Sequence, residues 1–131
     1  MNADPTIIEL SIVEVEAGGN AGGGAYEYAF SQRVLLCTAK GEIQIRLNWM
    51  GPNQFKIYAV ATSASQGQFE IRPIEQEGKQ AVIINHCTRP ELINLAVVVQ
   101  GPSKKNPLIV CDPQVINIPD PDWQMLAVAN G

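Results

Sequence analysis

The strongest constraint on the fold is a strict alternation of apolar and polar residues over positions 43–49. Every odd position in this segment is apolar and every even position is polar, which is typical of a β-strand with one face in the core and the other in water. The turn residues Gly51 and Pro52 follow, and the alternation resumes over positions 55–61. The two segments together predict an antiparallel hairpin.

Strand-like segments of this kind recur along the whole chain, with glycine, proline, asparagine or aspartate between them. No segment shows a sustained helical period, and the nine prolines argue against long helices. Residues 75–79 read as a hairpin tip, and the apolar run 81–84 behind it is typical of a strand covered on both sides. We therefore predict an all-β fold, an antiparallel two-sheet β-sandwich of about eight strands.

The first strand-like segment changes its apolar phase. Ile8, Leu10 and Ile12 are apolar at even positions, whereas Val13 and Val15 are apolar at odd ones. A change of one residue would turn the core side chains outward. The sequence therefore predicts either a β-bulge at Ile12 and Val13 or a strand that crosses from one sheet to the other there.

A chain of 131 residues can bury one core without a metal or a disulfide, so we expect a single domain over residues 1–131. Residues 18–24 include five glycines and predict a flexible, mobile loop after the first strand. This loop lacks the lysine and serine or threonine of a phosphate-binding loop. The C-terminal tail, residues 119–131, reads either as a short helix capped by Asp120 or Asp122 or as a final strand.

Charge and hydropathy exclude several classes of partner and compartment. The net charge is −4, and nine lysines and arginines spread thinly argue against nucleic acid and anionic membrane. The N-terminus has no basic segment followed by an apolar run, and no run is long enough for a membrane helix. We expect a soluble protein that is cytoplasmic by default, although export without a cleaved signal would leave no trace.

The side chains most suited to catalysis or metal binding are sparse. Cys37, Cys87 and Cys111 lie far apart and form no Cys-x-x-Cys pair, so we predict three reduced thiols and no metal or cofactor. His86 is adjacent to Cys87, but neighbours on a strand point to opposite faces. The glutamates of the alternating strands fall on polar faces. We find no catalytic constellation and expect a non-enzymatic protein.

Two binding hypotheses remain open. In the first, the chain is a protein-interaction or self-associating structural module that uses an exposed strand edge or a face bearing Arg46, Lys56 and Tyr58. The alternative is a small-ligand or carbohydrate-binding sandwich that uses aromatic side chains near loop ends. The candidate ligand contacts are Tyr26, Tyr28 and Trp123.

The segment 110–119 contains an Asp-Pro step, an apolar strand and a closing proline. In this it resembles the closing strand of small Gram-negative all-β proteins of unknown function, the inclusion-body PixA/AidA-like group. The resemblance covers these ten residues. It implies a bacterial all-β protein without an assigned catalytic activity, and it implies no site residues.

Overall fold

The computed structural model describes residues 5–38, 41–102 and 108–119. These residues form an all-β structure with two short 3-10 turns, at Gly22–Gly24 and Gln76–Gly78. The all-β prediction is confirmed, but the described residues contain ten strands rather than about eight. The strands are β1 (Thr6–Glu14), β2 (Tyr26–Phe30), β3 (Val34–Cys37), β4 (Ile43–Trp49), β5 (Lys56–Thr62), β6 (Phe69–Ile71), β7 (Gln80–Asn85), β8 (Glu91–Gln100), β9 (Leu108–Cys111) and β10 (Gln114–Asn117).

The described strands form two mixed sheets. The first sheet has the order β2-β1-β4-β7-β6, and the second has the order β3-β10-β8-β5 with β9 also paired to β8. Most pairs are antiparallel, but β1 with β4 and β3 with β10 are parallel. The prediction of a purely antiparallel fold is therefore wrong. The reason is that the chain leaves the first sheet after β2, forms β3 in the second, and returns beside β1 running in the same direction.

Side chains from both sheets form one hydrophobic core. In β4 the inward positions are those that the alternation assigns to the core, because successive residues of a strand point to opposite faces. Trp49 is buried with them, as its phase predicts. β5 departs from the alternation beyond Ile57, since Val60 packs against the core and Ala61 is exposed. The inward residues include Ile8, Leu10, Ile45, Leu47 and Ile83 from the first sheet and Ile93, Leu95, Val97, Ile109 and Val115 from the second.

The predicted hairpin of β4 and β5 is wrong, although both strands exist. β4 lies between β1 and β7, whereas β5 pairs with β8 in the other sheet. The Trp49 indole donates a hydrogen bond to the Pro52 carbonyl at 2.9 Å, and the Met50 N–H donates to the Leu10 carbonyl at 2.8 Å. These bonds fix a connection that carries the chain from one sheet to the other. Gly and Pro serve such a connection as readily as they serve a hairpin turn.

The predicted irregularity in β1 is also wrong. β1 and β2 pair in continuous register, with neither a bulge nor a crossing at Ile12 and Val13. Val13 is simply an outward-facing valine with 51% of its surface exposed. The register shift lies instead between Ile57 and Ala59 of β5, where Tyr58 is the extra residue opposite β8.

The hairpin predicted at residues 75–79 is confirmed. It joins β6 to β7, and the N–H groups of Glu75 and Gln80 each donate to the other residue's carbonyl, at 2.9 and 3.2 Å. Residues 81–85 of β7 are all buried, so the prediction of a strand covered on both sides is confirmed as well.

The glycine-rich segment is a loop between β1 and β2, as predicted, and it is hydrogen-bonded. The Gly19 N–H donates to the Gly24 carbonyl at 3.0 Å, and Ala21 forms an isolated bridge with Tyr26. A Cβ on Gly19 would lie 2.0 Å from the Tyr26 carbonyl oxygen. A close backbone approach therefore requires a glycine here. The mobility of the loop stays a prediction.

The predicted C-terminal tail lies outside the described residues from position 120 onward. Within the described part of the chain, no helix has the length and apolar character that crossing a membrane would require.

Candidate functional site

The three residues of the predicted interaction face do not share a face. Arg46 lies on β4 of the first sheet, whereas Lys56 and Tyr58 lie on β5 of the second. The prediction depended on the β4–β5 hairpin, and it is wrong for the same reason.

The three predicted aromatic ligand contacts have different outcomes in the structure. Tyr26 is only 3% exposed and packs edge-on against Phe55 with ring centroids 6.0 Å apart, so it belongs to the core. Its assignment as a ligand contact is wrong. Tyr28 is half-buried, and its hydroxyl donates to Oδ1 of Asp112 at 2.5 Å. Burial raises the pKa of Tyr28 above its ordinary value, and this hydrogen bond raises it further. Trp123 lies outside the described residues.

The outer edge of β2 is occupied by a side chain of its own loop. The Asn20 amide donates to the Tyr28 carbonyl at 2.9 Å, and the Tyr28 N–H donates to the Asn20 carbonyl oxygen at 2.8 Å. These are the two bonds that a further strand would make at this position. β2 is the end strand of the first sheet, so Asn20 blocks pairing of another chain at this point.

All three cysteines are free and buried. Burial raises the pKa of Cys37 to about 11 and that of Cys111 to about 12, and it raises the pKa of Cys87 as well. A nucleophilic or metal-binding cysteine needs a pKa shifted the other way. In residues 5–38, 41–102 and 108–119, no three metal-ligating side chains come together. His86 is half-buried and lies 4.0 Å from Glu42.

A polar cluster joins the two sheets inside the core. The Asn85 and Asn117 side chains each donate to the other's carbonyl oxygen, at 2.8 and 3.0 Å, and both are buried. Gln68 is also buried and accepts a hydrogen bond from the Thr88 N–H at 2.8 Å. The alternation of apolar and polar residues did not predict this cluster. Its signal is polar residues at inward positions, Asn85 at the end of an apolar run and Asn117 between two isoleucines.

Glu91 closes this cluster toward solvent. Its carboxylate accepts hydrogen bonds from the Ser65 hydroxyl at 2.6 Å and from the Gln68 amide at 3.1 Å. Burial alone would raise the pKa of Glu91, but these hydrogen bonds and the nearby Arg89 outweigh burial and lower it.

The outer surface of the second sheet is apolar. We call it the apolar outer face and define it by six exposed large side chains from β3, β5, β8 and β9. Side chains of this size are usually turned inward, and their concentration on one face is typical of a contact surface. They are Val34, Leu36, Tyr58, Leu92, Leu108 and Val110.

Strand register makes the apolar outer face continuous. Leu36, Ile116 and Leu92 lie directly opposite one another across β3, β10 and β8. Val110 and Val98 form a second row across β9 and β8. The sequence signal for this face is the unbroken apolar run 95–99 in β8, which has no polar residue for the outward side.

A polar groove lies on the outer surface of the first sheet. β4 and β7 form its floor, where Arg46 stands opposite Val82 and Gln44 opposite Ile84. The groove has a volume of about 460 Å³. Its wall comes from the connection between β6 and β7, which contributes Arg72, Glu75 and Gln76.

The chain matches no protein-family model and no curated protein.

Proposed function

We propose that this protein is a non-enzymatic two-layer β-sandwich module that self-associates through the apolar outer face. The observation that carries the proposal is the set of six exposed large apolar side chains on one sheet surface. Removing apolar surface from water stabilises an assembly by about 25 cal/mol per Å². A face of this kind therefore favours a state in which it is covered.

Charge favours a second copy of this chain as the occupant. Among the described strand residues that point outward from the second sheet, Lys56 is the one with a charge. The chain carries a net charge of −4, so two copies repel each other through most of their surfaces. A nearly uncharged face lets two copies meet without burying like charges.

Face-to-face contact is favoured over edge-to-edge pairing at β2. The Asn20 amide already takes the two backbone groups of Tyr28 that an added strand would use. Among the described residues, no side chain is hydrogen-bonded across Leu36, Ile116 and Leu92, the row of the apolar outer face that crosses β3, β10 and β8.

The absence of catalysis is part of the proposal. It is supported by the raised pKa values of the three buried thiols, which keep them protonated near neutral pH. The bacterial origin, the cytoplasmic location and the likeness of residues 110–119 to the PixA/AidA-like group stay proposals of the same kind. The alternative, a small-ligand or carbohydrate-binding sandwich that uses aromatic side chains, rests on Tyr28 alone among the described aromatic candidates.

Light scattering coupled to size-exclusion chromatography tests self-association. We expect the wild-type protein at high concentration to have twice its chain mass of 14.2 kDa. Leu92→Glu places a carboxylate on the apolar outer face and is expected to give the single-chain mass. Val13→Glu is the matched control, because Val13 is an exposed apolar residue of similar size on the first sheet, and it should behave like the wild type.

Circular dichroism of each variant checks that the fold is intact. A wild-type protein that stays monomeric at every concentration contradicts the proposal. So does a folded Leu92→Glu variant that keeps the wild-type mass.

A further inference from the structure

We propose that the polar groove on the first sheet binds a carboxylate, and that Arg46 is the residue that recognises it. The inference is independent of self-association, because the groove and the apolar outer face belong to different sheets. The ligand class is a small organic acid that carries hydrogen-bonding groups beside its carboxylate, such as an amino acid or the carboxyl end of a peptide.

The first observation is an unpaired donor on Arg46. Its Nε atom is shielded from solvent and has no hydrogen-bond partner among the described residues. Buried donors in proteins are nearly always paired, because an unpaired one loses its hydrogen bond to water without replacement. Because Nε is shielded, the terminal nitrogens Nη1 and Nη2 are the pair that an external carboxylate would meet, and they form a planar fork that fits its two oxygens.

The second observation is that Arg46 has no ion pair. In the described part of the chain, the groove's other arginine, Arg72, pairs with Glu70 at 3.2 Å, whereas no carboxylate lies within 4.0 Å of Arg46. Arg46 is therefore the guanidinium in this groove that is free for an external anion. It is also more sheltered from solvent than an ordinary surface arginine, which strengthens a charge-assisted hydrogen bond.

The other residues that line the groove indicate which further chemical groups the ligand carries. Val82 and Ile84 give the floor an apolar strip under the polar side chains. Three glutamine amides offer both donors and acceptors to a polar organic molecule. They are Gln44, Gln76 and Gln80. A volume of about 460 Å³ is within the usual range for a small-molecule site.

Glu75 distinguishes two possible sources of the carboxylate, a free amino acid and the carboxyl end of a peptide. It also lines the groove and carries the opposite charge to Arg46. A free amino acid would bring its ammonium group to Glu75 while its carboxylate meets Arg46. The carboxyl end of a peptide has an amide in place of that ammonium and would rely on the glutamines instead.

The test follows the Arg46 side-chain Nε–H signal by nuclear magnetic resonance during titration with three probes. L-glutamine presents a carboxylate and an ammonium, N-acetyl-L-glutamine presents only the carboxylate, and L-glutaminamide presents only the ammonium. We expect at least one of the two carboxylates to shift the Arg46 signal and L-glutaminamide to leave it in place. Tighter binding of L-glutamine identifies free amino acids as the source, and tighter binding of the acetylated probe identifies peptide ends.

Two variants with the same change in net charge, titrated while the backbone amide signals of the groove residues are followed, separate recognition from general electrostatics. Arg46→Gln is expected to weaken binding by about tenfold or more, since it removes a charge-assisted hydrogen-bonded pair. Arg33→Gln alters an exposed arginine outside the groove and should bind as the wild type does. No shift at Arg46 with either carboxylate, an equal shift with L-glutaminamide, or equal losses in both variants would overturn the proposal.

Discussion

Buried amides hold the two sheets in one alignment at the residue scale. Asn85 on the first sheet and Asn117 on the second satisfy each other's amides, and the Cys87 N–H donates to Asn85 at 3.0 Å. Sliding one sheet over the other would leave these groups unpaired in the core, at a cost of about 1–3 kcal/mol each. We infer that the pair contributes to a single native alignment as well as to stability.

Glu91 makes stability depend on pH. Its pKa is lower in the folded chain than the ordinary value of 4.5, so its carboxylate stabilises the fold above that value. This contribution disappears as pH falls through the lowered folded pKa. We expect Glu91→Gln to reduce the free energy of unfolding at pH 7 by about 1 kcal/mol, since one amide oxygen replaces two carboxylate oxygens.

Urea unfolding at a series of pH values measures this effect. The difference between wild type and Glu91→Gln should shrink as the solution is acidified below the ordinary carboxyl pKa. Glu16→Gln, at an exposed position, serves as the control and should follow the wild-type curve. A difference that is constant from neutral to acidic pH would show that the Glu91 hydrogen bonds do not depend on its charge.

The β1–β2 loop shows at the element scale how a low-complexity sequence encodes one shape. Gly19 has Tyr26 backbone atoms where a Cβ would stand, whereas Gly23 has open space around it and a positive φ of 68°. The two glycines are therefore required for different reasons. One permits a close approach, and the other adopts a backbone conformation that L residues rarely take.

Alanine substitutions distinguish the two requirements. Gly23→Ala is expected to lower the free energy of unfolding by about 1 kcal/mol, the cost of a left-handed L residue. Gly19→Ala should cost about 2 kcal/mol or more, because its methyl group collides with backbone rather than with a movable side chain. Equal losses of unfolding free energy in the two variants, measured with urea, would mean that the loop backbone shifts to make room for the methyl group at position 19, as expected of a mobile segment.

The protection of the thiols is a property of the whole molecule. Cys37 and Cys111 lie on strands of the second sheet, and Cys87 follows β7 of the first. All three face the common core. They become accessible only when the two sheets separate or unfold.

We expect no thiol to react rapidly with a disulfide reagent such as Ellman's in the native protein at neutral pH. All three should react once urea unfolds the chain, since burial and raised pKa values no longer protect them. Absorbance of the released chromophore counts the labelled groups. One fast thiol in the folded protein would contradict the arrangement of the core described above.

The sequence by itself determined which segments form strands and, where the alternation is unbroken, which side chains point inward. This information is local, because the direction of a strand side chain depends only on its place in the alternation. The inward side chains of residues 43–49 are predicted correctly for this reason. The β7 strand is predicted correctly from its continuous apolar run and the hairpin tip at 75–79 from its place before that run. The three free cysteines were also predicted correctly.

Only the tertiary structure decided which strands pair. The connection after Trp49 has the residues of a turn, yet the Trp49–Pro52 hydrogen bond and the burial of Phe55 take β5 into the other sheet. Because β4 and β5 belong to different sheets, Arg46 does not share a face with Lys56 and Tyr58. The apolar outer face and the Asn85–Asn117 pair likewise depend on which strands become neighbours, and that choice is a free-energy balance of the whole core rather than a property of any one segment.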